Sequence, residues 1–284
     1  IACEIFERIN NSGKVLSVVD LMVAKTWSPT FNLRERLTAF RDELARANYD
    51  DVPDITILQC VAGLLMHGVR RADILNLEKT QIEAHWDRAL EGIRQAIDFL
   101  KADLRVGHAK ILPYNAMIVP LACFFHAAEP TRQSATAKAT LKQWFWRVAV
   151  SNRYDAGAET KLGDDIADMT KLADGGTVSF TYTGPALSVE RIIEQRLNLG
   201  SAFCKTLLCV LNYRQPQELK DGSPVSLTSF SKFNSAELHH LFPRAHLRNA
   251  VHEQLSLRDS MANIALARAA ANKAYASKAP SEYL

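Results

Sequence analysis

Two adjacent histidines stand in "AELHHLFPRAHLRN", residues 236–249, and two asparagines, Asn263 and Asn272, follow them downstream. A neutral imidazole is a metal ligand and, near physiological pH, a proton acceptor; an amide oxygen is a ligand or a hydrogen-bond acceptor. In an extended segment neighbouring side chains point to opposite faces, which would give His239 and His240 different work. One ring can bind a metal ion from the strand while the other takes a proton from water, the chemistry of metal-assisted hydrolysis. A compact hairpin followed by a helix would bring both histidines and both asparagines to one cleft.

The rest of the chain supplies a mainly helical scaffold. Apolar residues recur at three- and four-residue spacing in "LRERLTAFRDELARA", "DITILQCVAGLLM", "TQIEAHWDRALEGIRQAIDFLKAD" and "ATAKATLKQWFWRVAVSNRY", which predicts a helix for each. The opening "IFERINNSGKVLSVVDLMVAKTW" predicts helix, tight turn, helix, with Ser17 as N-cap before Asp20. "ILPYNAMIVPLACFFHAA" predicts an almost wholly apolar core helix entered through Pro113 and bent at Pro120. A Gly-, Asp- and Thr-rich connector runs from Asp155 to Gly184, and within it "TVSFTYTG" reads as a strand. Helical periodicity resumes in "SVERIIEQRLNLGSAFCKTLLCVLNYR" and is broken by "QPQELKDGSP", which puts a domain boundary near Gly222. The Ala-rich "ALARAAANKAYASKA" favours a further helix near the C-terminus. The organisation expected is a helical domain over residues 1–222 and a small module of different texture over 223–284.

Composition sets outer limits. At 284 residues, 48% hydrophobic and 23% charged, the chain has material for one large or two modest cores. Its 34 Lys and Arg against 31 Asp and Glu give a net charge of only +3, so any nucleic-acid surface must be local. Five cysteines, an odd number with no CxxC pair, point to a reduced cytoplasmic protein and give no structural zinc site. The longest apolar run, "AMIVPLACFF", is too short to cross a bilayer, which argues against a membrane role. The chain begins at Ile1, directly in a patterned segment, as part of a longer polypeptide would.

The residues His239-His240-Leu241-Phe242-Pro243, Asn263-Ile264 and Asn272 resemble the His-Me finger (HNH) nuclease module at the C-terminus of GmrSD-type modification-dependent restriction endonucleases. "IFERINNSGKVLS" and "FWRVAVSNRYDAGAETKLGDDI" look like segments of the helical region of those enzymes, so the resemblance runs over almost the whole chain. It implies a mainly α fold ending in a ββα-metal module, with His240 as general base, Asn263 orienting that base, and His239 and Asn272 as metal ligands. Many relatives carry an acidic residue where His239 stands. The family's ParB-like N-terminal domain, with its nucleotide-binding motif, has no counterpart in these residues, so the fragment should not hydrolyse nucleotides by itself. The activity implied is metal-dependent cleavage of foreign, modified DNA in restriction and antiviral defence.

The chemistry is consistent with such a substrate. A phosphodiester resists attack because its negative charge repels nucleophiles; a divalent cation offsets the charge that develops, and a histidine base makes water nucleophilic. Mg²⁺ or Mn²⁺ is the cofactor expected, although an imidazole with an amide oxygen also suits Ni²⁺ or Zn²⁺. Two other function classes fit the same residues: a catalytically weak nucleic-acid-binding or regulatory module, and a nuclease directed at RNA.

Other residues carry weaker signals. His246 and His252 read as surface histidines. Glu237 would share the face of His239 in a strand, and serves equally as a solvent-facing acid. "NNSGK" lacks P-loop spacing and reads as a helix connection. Arg153, Tyr154 and Lys161 follow a helix, where a structural role outweighs contact with a DNA backbone. Trp144 to Trp146 reads as core and core edge rather than a stacking platform for bases.

Overall fold

Residues 16–225, 238–250, 257–275 and 278–283 are described by the computed structural model, which is mainly helical with a two-stranded antiparallel sheet near the C-terminus. The chain divides into two compact units. One comprises Ile1–Phe99, Asn115–Phe145 and Arg153–Thr181; the other comprises Leu100–Tyr114, Trp146–Asn152 and Tyr182–Leu284, and so includes residues 223–284 together with earlier segments.

In the first unit, α1 (Val18–Thr26) opens with a capping box in which Ser17 and Asp20 satisfy each other's backbone N–H groups. It is followed by α2 (Leu33–Arg46), α3 (Asp54–Met66), the short α4 (Arg71–Asn76) and α5 (Lys79–Ala102), which begins in this unit. Next come α6 (Ile118–Ala127), the start of α7 (Ala135–Ser151) and α8 (Ala158–Ala173). The core lies where α6 packs against α3 and α8. Gly63 permits that approach: a Cβ there would stand 3.1 Å from both Cys123 Sγ and Ile166 Cδ1. Arg153 and Tyr154 turn inward to the fully buried Asp165, and the Lys161 ammonium donates to the Arg153 carbonyl, so all three serve the fold.

Three expectations change, the first being that the stretch from Asp155 to Gly184, read as a connector, holds the helix α8. The apolar run does not form one helix entered at Pro113; it makes short 3-10 turns at Ala109–Ile111 and Asn115–Met117 before α6 begins. Pro120 sits in the first turn of α6, where its missing N–H would have had no partner, so it begins the helix rather than bending it. "TVSFTYTG" forms no strand. Its alternation is met without a ladder: Phe180 is buried, and Gly184 lies so close to Ser151 that a Cβ would fall 2.3 Å from the Ser151 carbonyl oxygen.

In the second unit, α9 (Val189–Glu194) and α10 (Ala202–Tyr213) are separate helices, each capped by a serine, Ser188 and Ser201. The centre is α10. Its Thr206 hydroxyl donates to the Ala149 carbonyl, its Cys209 thiol to the Ile111 carbonyl and its Asn212 amide to the Arg105 carbonyl. It also packs against β2 (Ile264–Leu266), which pairs with β1 (Leu238–His240) in the register Leu238–Leu266, His239–Ala265, His240–Ile264. Two short helices follow the strands, α11 (Arg244–Ala250) after β1 and α12 (Ala269–Tyr275) after β2. Within the described residues no helix is long and apolar enough to cross a membrane.

Candidate functional site

Pairing with β2 makes residues 238–240 extended, so His239 and His240 occupy opposite faces of β1. Ile264 and Leu266 bury their side chains and hold the hairpin against the unit's core. Beyond the ladder, the Leu241 N–H donates to the Asn263 carbonyl at 2.9 Å. Pro243 then precedes α11, where its fixed φ suits the entry to a helix.

His239 is 2% exposed. Its ring lies 5.1 Å from that of Tyr275 and 5.4 Å from that of Tyr283, centroid to centroid, and the two tyrosines stack on each other at 4.6 Å. Its Nδ1 is 2.8 Å from Asn272 Oδ1, and its Nε2 is 3.2 Å from the Tyr283 hydroxyl. The Tyr283 hydroxyl donates to the Leu241 carbonyl. At both contacts of the His239 ring the tautomer decides which partner donates.

The separation of His239 Nδ1 from Asn272 Oδ1 can be compared with the spacing of neighbouring ligands on a cation. Octahedral Mg²⁺ holds its ligands at about 2.1 Å, which sets neighbouring ligands about 3 Å apart, close to the observed separation. Among the described residues no three His, Cys, Asp or Glu side chains group to hold a metal.

His240, on the other face, is the last residue of β1, and its side chain retains 20% exposure. Its Nε2 lies 3.5 Å from Asp259 Oδ1, near enough for an ion pair but without the alignment of a hydrogen bond. Burial, helped by the positive charge of Arg244, pushes the imidazole below its ordinary range against the opposing pull of Asp259. The ring is therefore neutral, the form a base requires.

Asn263, 8% exposed, serves the loop after His240. Its Oδ1 accepts from the Phe242 N–H at 2.7 Å, and its Nδ2 donates to the Phe242 and Arg258 carbonyls at 3.0 and 2.9 Å. The side chain next to the His240 ring is Asp259. Arg244 and Arg258 both bind its carboxylate, at 2.7 and 3.2 Å. Burial alone would raise that carboxyl, but the two guanidiniums outweigh it and hold it below its usual range. The segment carrying Asp259 is tied to residues 193–197: Leu197 N–H donates to the Asp259 carbonyl, Met261 N–H to the Gln195 carbonyl, and the Ser260 hydroxyl to the Ile193 carbonyl.

Four residues of this site were not singled out from the sequence: Asp259, Tyr275, Tyr283 and Glu218. The buried Glu218 carboxylate accepts from the Tyr275 hydroxyl at 2.7 Å and the Arg268 N–H at 2.9 Å, and burial together with Glu218 pushes the Tyr275 phenol up to about 12. A signal existed for two of them. Asp259 precedes Asn263 by four residues in "RDSMAN", and Tyr275 follows Asn272 by three, about one helical turn. Glu237, His252 and "NNSGK" lie outside the described residues.

No family model matches the chain. An uncharacterized protein of Methanocaldococcus jannaschii is 22% identical over 303 aligned residues, which take in 99% of this chain and 49% of that protein. The chain thus spans about half the length of the curated relative it matches.

Proposed function

We propose that this chain is a metal-dependent endonuclease that hydrolyses DNA phosphodiesters through a ββα module of the HNH type, working in restriction of foreign, modified DNA. The observation that carries the reading is the difference between two neighbouring histidines on one strand. His239 is buried with its Nδ1 2.8 Å from Asn272 Oδ1, and His240 is a half-buried imidazole on the opposite face whose pKa is lowered by burial. Hairpin and following helix together bring an imidazole, an amide oxygen and a second imidazole to the end of β1.

His239 and Asn272 would hold a divalent cation, which, when bound, offsets the negative charge that develops on the phosphate as it is attacked. His240 takes the proton of the attacking water, whose oxygen forms the new bond to phosphorus as the bond to the leaving oxygen breaks. Asn263 fixes the backbone immediately after the base, so the ring keeps its position as it acquires charge. An anionic substrate suits the local charge: Leu238 to Leu284 holds six Lys and Arg against three Asp and Glu, a surplus equal to the formal +3 of the whole chain. DNA is thus the partner proposed, with a nucleotide-binding domain elsewhere in the same polypeptide and Mg²⁺ or Mn²⁺ as cofactor.

The test is nicking of supercoiled plasmid, with a structured RNA in parallel, across Mg²⁺ and Mn²⁺ titrations. His240→Ala should lower the rate about a hundredfold to ten-thousandfold while thermal melting stays unchanged. A folded His240→Ala protein that cuts at the parental rate refutes the assignment. Cleavage of RNA alone moves the substrate to that polymer.

A further inference from the structure

Asp259 has three properties that a solvent-facing acid would not combine. Its carboxylate is held by guanidiniums from two directions, Arg244 Nε and Nη2 on Oδ1 at 2.9 and 2.7 Å and Arg258 Nη2 on Oδ2 at 3.2 Å. Its own backbone is pinned, with the Leu197 N–H donating to its carbonyl at 2.8 Å. The atom it presents to the hairpin, Oδ1, stands 3.5 Å from His240 Nε2, a buried ring nitrogen that has no hydrogen-bond partner. A buried polar atom of that kind requires an explanation, and a fixed acceptor within a small ring rotation of it supplies one.

We propose that Asp259 is the positioning residue for His240: its carboxylate accepts a hydrogen bond from His240 Nε2–H as substrate binds, holds the proton on that nitrogen, and leaves Nδ1 bare to receive the proton of water. This rests on His240 being the base. Separations at catalytic hydrogen bonds are often long before substrate arrives and tighten in the complex, so 3.5 Å is a starting point the ring can close by turning. The guanidiniums have a second consequence. They keep Asp259 ionised, so that it remains an acceptor beside the ring, and they hold it from swinging into the site as a competing ligand or base. The arrangement divides the labour that the family resemblance assigns to Asn263, whose amide bonds the Phe242 backbone.

The experiment uses the whole chain with Mg²⁺ and plasmid DNA. Asp259→Asn, Asp259→Ala and Asp259→Glu are compared with the parent and His240→Ala for kcat and KM, each also combined with His240→Ala. Loss of an orienting partner should lower kcat about 10- to 100-fold in Asp259→Asn and Asp259→Ala. Asp259→Glu should recover part of it, and neither loss should appear on top of His240→Ala. A folded Asp259→Asn protein with parental kcat, or a loss that persists undiminished when His240 is already alanine, overturns the proposal. Where the substitutions unfold the chain, ¹⁵N spectra of the His240 ring in the parental protein decide. A proton on Nε2 in alkaline buffer is the expected tautomer, and a bare Nε2 refutes the role. His240→Ala cutting at the parental rate is a separate outcome: it removes the base itself, and with it any residue that would orient it.

Discussion

Replacing Asn263 with alanine removes three hydrogen bonds at once: the acceptor of the Phe242 N–H at 2.7 Å and the donors to the Phe242 and Arg258 carbonyls at 3.0 and 2.9 Å. At about 1 kcal/mol net per bond, give or take half, the total is roughly 1.5–4.5 kcal/mol. Asn263 keeps 8% exposure, so water can re-solvate part of what is freed and the lower half of that range, about 1.5–3 kcal/mol, applies. Since each 1.4 kcal/mol is tenfold in an equilibrium constant, the loop after His240 should open about 10 to 140 times more often. Amide hydrogen exchange at Phe242 reads that number locally, without assuming that the two units unfold together. Asn263→Asp sharpens the comparison, because it keeps the acceptor for Phe242 and turns an anionic oxygen toward two carbonyls; it should protect Phe242 no better than alanine does. Protection of Phe242 within about threefold of the parent in either variant, a change of roughly 0.6 kcal/mol, refutes the idea that this side chain clamps the loop.

Three further outcomes are expected. His239→Ala and Asn272→Ala should each raise the Mg²⁺ or Mn²⁺ concentration needed for half-maximal nicking by about tenfold or more, as a metal titration on protein verified as folded by circular dichroism will show. Burial and Arg244 lower the pKa of His240, and the neutral ring is the active form, so nicking should persist as pH falls through the ordinary histidine value and be lost only below it; a rate–pH profile checks the position of that acid limb. Asp165→Ala leaves the largely buried Arg153 without its carboxylate and should cost about 3–5 kcal/mol in the unit that contains it, read by denaturant unfolding, with no change in the metal concentration that nicking requires.

The long helices were legible because their apolar spacing is their packing surface: α2, α3, α5 and α7 follow the periodic segments closely, and Ser17 caps α1 as its place before Asp20 predicts. Errors arose where pattern and hydrogen bonding part company. "TVSFTYTG" alternates like a strand, yet a strand needs a neighbour, and no local signal says whether one will be there. The apolar run around Pro113 and Pro120 shows where side chains are buried but not where the backbone ladder starts. At the candidate site, the "HH" motif and the two asparagines stand out in the sequence by type and spacing, and the fold sets His239 beside Asn272 and Asn263 beside Phe242. Their partners do not stand out: Tyr283 and Glu218 meet His239 and Tyr275 only through folding, across 44 and 57 residues of sequence.

What makes two identical neighbours do different things is register. Successive residues of a strand alternate faces, so a slip of β1 by one residue against β2 would carry His239 to the Asp259 side and turn His240 toward Asn272 and the tyrosines. Three residues are too few for a ladder to resist such a slip by itself, and the contacts just beyond it supply the resistance. The Leu241 N–H on the Asn263 carbonyl and the Asn263 amide on both polar groups of Phe242 each require one particular residue opposite Asn263. Asn263 therefore reaches the chemistry without touching an imidazole: by fixing which residue faces it, it decides which histidine meets the amide oxygen of Asn272 and which meets the carboxylate of Asp259.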